Sequence, residues 1–190
     1  MRNRIIAPVV IAAIVSLVSG GFSHAAKLDV SLVKEAKASL ARGAEYLMQT
    51  QLENGSWKDE PAITALAITA LHQAGVEESE AKVKQAVKKG REYVLSYVQE
   101  NGSIAGTKSK YVNYTTAICL TALANIGDPE DREVMREARH FLIDMQLDED
   151  HAKHPTSPDN PFYGGIGYGS AGPTRPDLSN TQWALEALHL

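Results

Sequence analysis

"RGAEYLMQTQLENGSW" at residues 42–57 returns 47 positions later as "KGREYVLSYVQENGSI" at residues 89–104. The two copies share a Gly near the start, a Tyr three residues later and the tetrapeptide Glu-Asn-Gly-Ser near the end. A self-match at a fixed shift of this length is typical of proteins built from stacked supersecondary units. The chain therefore predicts a repeat architecture before any single residue is considered.

A second segment of each unit repeats as well, and a third unit follows. The matching segments are "ITALAITAL" (63–71) and "TTAICLTAL" (115–123), and in the third unit "ARHFLIDMQ" (138–146) and "NTQWALEAL" (180–188). These alignments place Thr64, Thr116 and Thr181 at one repeat position. Three units of two segments each account for most of the chain.

The periodicity of both segments indicates helices. In the first, apolar residues recur at three- and four-residue steps, as in Val33, Ala36, Leu40, Ala44 and Leu47. The second segments are apolar nearly all round, which predicts helices enclosed by neighbours. Each unit is then an outer amphipathic helix and an inner apolar helix joined at the Glu-Asn-Gly-Ser turn, with Trp57, Tyr46 and Tyr93 as residues that stack the repeats.

We predict an all-α fold whose boundaries follow from helix caps and breakers. Pro61 suits a first helical turn, Asp128 before Pro129 suits an N-cap, and Gly75 and Gly127 suit left-handed helix ends. The predicted helices span 29–49, 61–74, 79–99, 112–126, 129–146 and 178–190. Five prolines and several glycines between residues 147 and 177 predict a long insertion at the joint of the third hairpin.

The first unit resembles the QW repeat of squalene-hopene cyclases and related terpenoid cyclases. The matching residues are Arg42, Gly43, Tyr46, Leu47, Gln51, Gly55 and Trp57. The second copy has Val98 at the Gln position and Ile104 at the Trp position, and the third keeps Phe141, Leu142 and Gln146. Gly164, Gly165, Asp177 and Trp183 are similar to a segment of protein prenyltransferase β subunits. The resemblance covers residues 26–190 and implies an α/α-toroid, here a partial one of about three hairpins. It is either truncated at its C-terminus or completed by another copy.

The resemblance makes Asp177 the candidate catalytic residue. Class II terpenoid cyclases protonate their substrate with an Asp-x-Asp-Asp motif, but here Asp177-Leu178-Ser179-Asn180 holds a single carboxylate. Prenyltransferase β subunits have two zinc ligands in Asp-x-Cys, where this chain has Ser179, a far poorer ligand than a thiolate. Both motifs are thus incomplete, and the residue before a helix is also a good N-cap. Catalytic acid and N-cap are alternative roles for Asp177.

The remaining candidates for a ligand site lie on the inner helices. The hydroxyls of Thr64, Thr116 and Thr181 either line the central hollow or bond within the protein. Trp183 either packs in the core or stabilises a carbocation. "DEDHAKH" (148–154) is interpreted as a solvated loop rather than a metal site, and no metal or other cofactor is expected. Cys119 is predicted to be a buried, inert thiol.

The N-terminus is predicted to be a secretory signal peptide. Residues 1–25 carry two arginines, an apolar run from Ile5 to Val18 and small residues before a cleavage site at Ala25. The alternative is an uncleaved anchor, although the run is short for a membrane span. The net charge of -4 and the absence of a basic block argue against nucleic acid as a partner. We therefore expect a secreted or periplasmic protein without an integral span after cleavage.

Two function hypotheses follow. The first is a terpenoid cyclase-like or prenyltransferase-like repeat protein that binds an apolar, isoprenoid-like small molecule or lipid in its hollow, with or without catalysis. The alternative is a non-catalytic helical repeat scaffold that binds protein or glycan through its loops. In either case, the open edges of the hairpins suggest self-association.

Overall fold

The computed structural model describes residues 29–75, 80–169 and 175–190. Six α-helices and one short 3₁₀ helix are formed within these ranges. The α-helices are α1 (Val30–Thr50), α2 (Pro61–Gln73), α3 (Glu80–Leu95), α4 (Val112–Ile126), α5 (Arg132–Asp144) and α6 (Leu178–His189), and the 3₁₀ helix is Pro129–Asp131. The described residues contain no strand, only two isolated β-bridges, so the predicted all-α class is confirmed.

The helix ends follow the predicted chemistry. Pro61 begins α2, and Gly127 ends α4 in the left-handed region with a φ of 70°. The Asp128 side chain accepts from the Glu130 N–H at 3.0 Å and caps the 3₁₀ helix. One prediction was too long: α3 ends at Leu95 rather than at residue 99, because the following residues already form the second turn.

The inner helices form one layer, with α4 packed between α2 and α6. The outer helix α3 packs against α2, and α5 packs against α4. Burial is deepest in the inner layer, where Ile68, Leu71 and Leu123 are at most 1% exposed. Because α2 and α4 have neighbouring helices on several sides, the apolar side chains around them are buried.

The chain divides into two compact units, Met1–Lys37 and Ala38–Leu190. The described part of the first unit comprises residues 29–37, and every hairpin turn belongs to the second. Within the second unit, the face of α1 that was predicted to be buried is partly covered: Ala44 is buried and Leu47 packs against the core, whereas Leu40 is 52% exposed. Tyr46 is 65% exposed, so the prediction that it stacks between repeats is wrong.

Trp57 packs as predicted. Its side chain is 5% exposed and belongs to the hydrophobic core. The indole Nε1–H donates to the carbonyl oxygen of Leu47 in α1 at 3.0 Å, and the ring lies against Gly90 of α3. Trp57 therefore ties the first turn to two outer helices. Tyr93, another residue expected to stack, is half-buried and its hydroxyl lies 2.9 Å from that of Tyr97.

The three turns share one hydrogen-bond pattern. In each turn, the glycine N–H donates to the carbonyl oxygen of a residue at least three positions earlier. The N–H of that same earlier residue donates to the carbonyl oxygen of the residue that follows the glycine. The glycines are Gly55, Gly102 and Gly164, and their acceptors are Leu52, Gln99 and Leu147. In the third turn, residues 148–163 lie between acceptor and glycine. The insertion predicted over residues 147–177, the inserted loop, is thus found at this joint, and its residues 148–163 take the place of Glu53-Asn54 and Glu100-Asn101 in the other turns.

None of the six described helices combines the length and the apolar composition that a bilayer span requires. The predicted signal peptide at residues 1–25 lies outside the described residues. The partial α/α-toroid stays a prediction.

Candidate functional site

The repeated threonines join each turn to its inner helix. Every one of the three hydroxyls accepts a hydrogen bond from a backbone N–H at the end of its own turn. The donors are Trp57 to Thr64 at 3.0 Å, Ile104 to Thr116 at 3.0 Å and Ile166 to Thr181 at 3.2 Å. Thr64 and Thr116 are fully buried, and Thr181 is half-buried. These hydroxyls bond to the protein's own backbone, while their predicted role in ligand binding stays a prediction.

Asp177 is the N-cap of α6, as one of its two predicted roles requires. One carboxylate oxygen accepts from the backbone N–H of Asn180 at 2.9 Å, and the other accepts from the Asn180 side-chain amide at 2.7 Å. The backbone N–H of Asn180 is the main cause that lowers the pKa of Asp177, with a smaller contribution from the Tyr168 hydroxyl. The group is therefore ionised at neutral pH. Its catalytic role stays a prediction.

Four aromatic side chains gather at the N-terminal ends of α4 and α6, and we call them the aromatic cluster. They are Tyr111, Tyr114, Tyr168 and Trp183. The Tyr114 ring lies 6.3 Å from Trp183 and 6.2 Å from Tyr168 between centroids, and Tyr111 lies 5.3 Å from Tyr168. Edge-to-face and tilted pairs at these distances are favourable for aromatic rings. The candidate residues Trp183 and Asp177 are thus brought together at one end of the inner layer.

The inserted loop reaches the cluster through Asn113 at the start of α4. The Asn113 backbone N–H donates to the Tyr168 carbonyl at 3.2 Å, and its side-chain amide donates to the Gly167 carbonyl at 3.0 Å. Gly169 has a φ of +77°, and a Cβ there would stand 2.2 Å from the Asn113 side-chain oxygen. Any larger residue at position 169 would push the loop off α4.

Sequence reasoning missed most of this cluster. Of its four rings, only that of Trp183 was singled out by the sequence analysis. Tyr111 precedes an inner helix and Tyr114 lies in its first turn, at repeat positions where the first unit has Asp59 and Ala62. Aromatic residues at these two repeat positions were the signal that could have drawn attention to Tyr111 and Tyr114. Which other ring each of them packs against depends on tertiary contacts, which the sequence does not show.

The cluster has a partly open surface with a single nearby carboxylate. Tyr111 is 57% exposed and Tyr168 is 37% exposed, while Tyr114 and Trp183 are half-buried. Aromatic faces attract both apolar groups and cations, and the ionised Asp177 adds negative charge beside them. The arrangement can hold a small apolar or cationic group. Asp177 is the one carboxylate of the stretch 177–180, where the Asp-x-Asp-Asp motif has three, and in its ionised form it can accept a proton but not donate one.

The acidic and histidine-rich part of the inserted loop is more ordered than a solvated loop. His151 is 8% exposed, and its Nδ1 accepts from the Lys153 N–H at 3.3 Å. Burial is the main cause that lowers the pKa of His151, followed by the neighbouring His154. The interpretation of this stretch as solvated is therefore wrong for His151. Across the described ranges, no group of three or more His, Cys, Asp or Glu residues is arranged to hold a metal ion.

Cys119 lies in the middle of α4 and is fully buried, which confirms the prediction of an enclosed thiol. Desolvation is the main cause that raises the pKa of this thiol, so the nucleophilic thiolate is strongly disfavoured. Cys119 is not part of the candidate site.

Comparison of the chain with protein-family models, with curated proteins and with solved structures gives no significant match. The resemblance to terpenoid cyclases and prenyltransferase β subunits therefore rests on the residues quoted above, and it stays a prediction.

Proposed function

We propose that this chain is an exported helical repeat protein of the terpenoid cyclase and prenyltransferase type, which binds an apolar, isoprenoid-like molecule at its inner helices. The observation that carries the proposal is the aromatic cluster. Tyr111, Tyr114, Tyr168 and Trp183 come from the N-terminal ends of two inner helices and from the inserted loop, and the rings of Tyr111 and Tyr168 stay partly exposed. Rings in such an arrangement contact an unsaturated hydrocarbon favourably through their faces.

Two further apolar side chains of the inner layer are exposed. Ile63 and Leu66 of α2 are 44% and 45% exposed, although α2 is an inner helix. Leu66 occupies the same repeat position as Trp183, two residues after the threonine that recurs in each inner helix of this chain. An extended hydrocarbon would gain free energy by covering such residues.

Binding can be tested with farnesol as the probe and intrinsic tryptophan fluorescence as the readout. Trp57 is buried, whereas Trp183 belongs to the cluster, so we expect farnesol to change the Trp183 emission. The Tyr168→Ala variant should weaken binding by about tenfold, because a hot-spot ring contributes roughly 1–2 kcal/mol. Tyr46→Ala is the matched control, since Tyr46 is exposed and distant in sequence from the cluster. Equal affinity in all three proteins would remove the support for this site.

The alternative, a scaffold that binds protein or glycan through its loops, is favoured by a separate observation. Phe162 and Tyr163 in the inserted loop are 36% and 39% exposed, and Arg175 stacks over the Phe162 ring with its guanidinium carbon 5.4 Å from the centroid. Exposed aromatics on a loop are common in recognition surfaces. A glycan array and a Phe162→Ala variant separate the hypotheses, because this substitution leaves the aromatic cluster intact.

Catalysis is a further step that the same proposal allows. If Asp177 acts as the acid, a polyene such as squalene should be cyclised by the full chain and not by Asp177→Asn. The incomplete Asp-x-Asp-Asp and Asp-x-Cys motifs favour binding without turnover.

A further inference from the structure

The first two turns carry the same tetrapeptide, Glu-Asn-Gly-Ser, in the same local fold. Asn54 and Asn101 are exposed, and each is followed by a glycine of positive φ, 87° at Gly55 and 81° at Gly102. Because glycine has no Cβ, its backbone nitrogen is open to the side chain of the residue before it. An Asn-Gly pair can therefore close a ring in which the glycine nitrogen attacks the side-chain carbonyl carbon of the asparagine.

The serine of each tetrapeptide donates two hydrogen bonds to the side-chain oxygen of the asparagine. In the second turn, the Ser103 N–H and hydroxyl donate to the Asn101 Oδ1 at 3.2 and 2.8 Å. In the first turn, the Ser56 N–H and hydroxyl donate to the Asn54 Oδ1 at 3.1 and 2.8 Å. Attack on the side-chain carbon moves negative charge onto this oxygen, and two donors that are already in place stabilise such a charge. Both turns thus hold an oxyanion hole for a reaction of their own asparagine.

The two turns differ in what holds the side-chain nitrogen, which must leave in this reaction. The Asn54 Nδ2 donates to the Asp59 carboxylate at 2.9 Å, and the Ser56 hydroxyl lies 3.3 Å from the same carboxylate oxygen. The carboxylate restrains the Asn54 amide, shares its hydroxyl donor and opposes negative charge at the neighbouring Oδ1. Gly106 holds the repeat position of Asp59, and among the described residues the Asn101 side chain makes only the two bonds from its serine. The second turn therefore has the donors without the restraint.

We propose that Asn101 is a site of spontaneous deamidation, and that Asp59 protects Asn54 in the same tetrapeptide from this reaction. The Gly102 N–H first leaves the Gln99 carbonyl, which it contacts at 3.0 Å. The Gly102 nitrogen then bonds to the Asn101 Cγ, the Cγ–Nδ2 bond breaks, and ammonia leaves with the proton of the Gly102 N–H. Water opens the resulting succinimide at one of its two carbonyls and gives aspartate or isoaspartate. Water is the only co-reactant, and the proposal does not depend on the proposed ligand.

The reaction changes the contact between the second turn and α5. Gly102 rests on this helix so closely that a Cβ at its position would stand 2.5 Å from the Glu137 carbonyl oxygen. Isoaspartate routes the main chain through its side-chain carbons, which lengthens the turn by one methylene and adds a negative charge. Because the turn has no free space at Gly102, the longer main chain cannot keep this contact. Deamidation at Asn101 therefore loosens the joint between the second and third units.

The test is peptide mapping by mass spectrometry after incubation of the full chain in mildly alkaline buffer, with separation of the asparagine, aspartate and isoaspartate forms. In the folded chain, the Asn101 peptide should convert about tenfold faster than the Asn54 peptide, because a hydrogen bond to a charged group changes a barrier by about that factor. The chain unfolded in urea is the matched control. Both sites have the sequence Glu-Asn-Gly-Ser, so they should convert at similar rates once the fold is removed.

One substitution tests the protection by Asp59. Asp59→Gly gives the first turn the residue of the second, and glycine readily adopts the φ of 53° found at this position. The Asn54 peptide of this variant should convert about tenfold faster than that of wild type. The Asn101 rate in the same variant is the internal control, because unfolding of the chain would change both sites. An Asn101 peptide that stays unconverted in the folded chain, equal rates at the two sites, or an unchanged Asn54 rate in Asp59→Gly would each overturn the proposal.

Discussion

Ile68 lies so close to Gly90 that a Cβ at position 90 would stand 2.3 Å from the Ile68 Cγ2 atom. This contact joins the inner helix of the first unit to the outer helix of the second, and Ile68 is fully buried there. The glycine of the repeat is explained by helix-on-helix packing, since Gly90 lies in the middle of α3 and needs no special backbone angle.

The first prediction compares this glycine with its counterpart in α1. Gly90→Ala should destabilise the fold by about 1–3 kcal/mol, because the added methyl overpacks the contact with Ile68. Gly43→Ala is the matched control, since its Cβ meets no described atom within 4 Å. That substitution should stabilise α1 by roughly 0.5–1 kcal/mol through helix propensity. Urea unfolding measures both, and an equal effect of the two substitutions would contradict the register assigned to the repeat.

The second prediction concerns Trp57, whose ring packs between outer helices and whose indole N–H donates to Leu47. Trp57→Ala should lower the free energy of unfolding by roughly 3–5 kcal/mol, as other large core truncations do. Trp57→Phe keeps most of the apolar volume and should cost clearly less. Chemical denaturation of the three proteins gives the comparison, and a change near zero for Trp57→Ala would show that the ring is not part of the core.

The third prediction concerns Asp177 as the cap of α6. The carboxylate caps α6 through the Asn180 N–H, so Asp177→Asn, which keeps an acceptor, should change stability by only a few tenths of a kcal/mol. Asp177→Ala removes the cap and should cost about 1 kcal/mol. Unfolding experiments at neutral pH measure this difference.

The pH dependence of Asp177 gives an independent check. Because its pKa is lowered in the folded state, the folded protein binds this proton less readily than the unfolded chain does. The contribution of the carboxylate is present above the unfolded pKa, which is near 3.8, and it is lost as the pH falls through the folded pKa. Asp177→Asn has no carboxylate at this position, so its free energy of unfolding should fall less than that of wild type as the pH is lowered through this range. The same pH dependence of stability in the two proteins would contradict this role of Asp177.

The fourth prediction concerns His151 in the inserted loop. Burial lowers its pKa, so the folded state holds the neutral ring, while the unfolded chain begins to bind a proton as the pH falls below about 6.5. His151 should therefore make the protein less stable at pH 5.5 than at pH 7.5. His151→Asn keeps an acceptor for the Lys153 N–H and should lose this part of the pH dependence.

The exposed His140 of α5 provides the control for that measurement, because it does not contribute to the shift of the His151 pKa. Thermal unfolding at the two pH values should give nearly the same shift for wild type and His140→Asn, and a smaller one for His151→Asn. An unchanged shift in His151→Asn would show that the buried ring does not titrate with folding.

Periodicity and end signals were sufficient to predict the six helices, because those signals act within a few residues of the chain. Helix α2 begins at Pro61, α4 ends at Gly127 and α6 is capped by Asp177, each as the local chemistry requires. The insertion in the third hairpin was equally readable, since prolines and glycines exclude a helix wherever they cluster. The end of α3 was predicted four residues too late, because its turn is closed by hydrogen bonds to residues further along the chain.

The tertiary structure decided what the sequence left open. In the folded chain, the hydroxyls of Thr64 and Thr116 accept hydrogen bonds from the turn backbone. Tyr111 and Trp183, which are far apart in sequence, belong to one aromatic cluster because Tyr114 and Tyr168 lie between them. The tertiary structure also leaves Leu40 exposed, although its spacing is that of a buried helix face. Spacing determines which residues share a face of a helix, whereas burial depends on whether another element lies against that face. That second condition is a property of the packed chain.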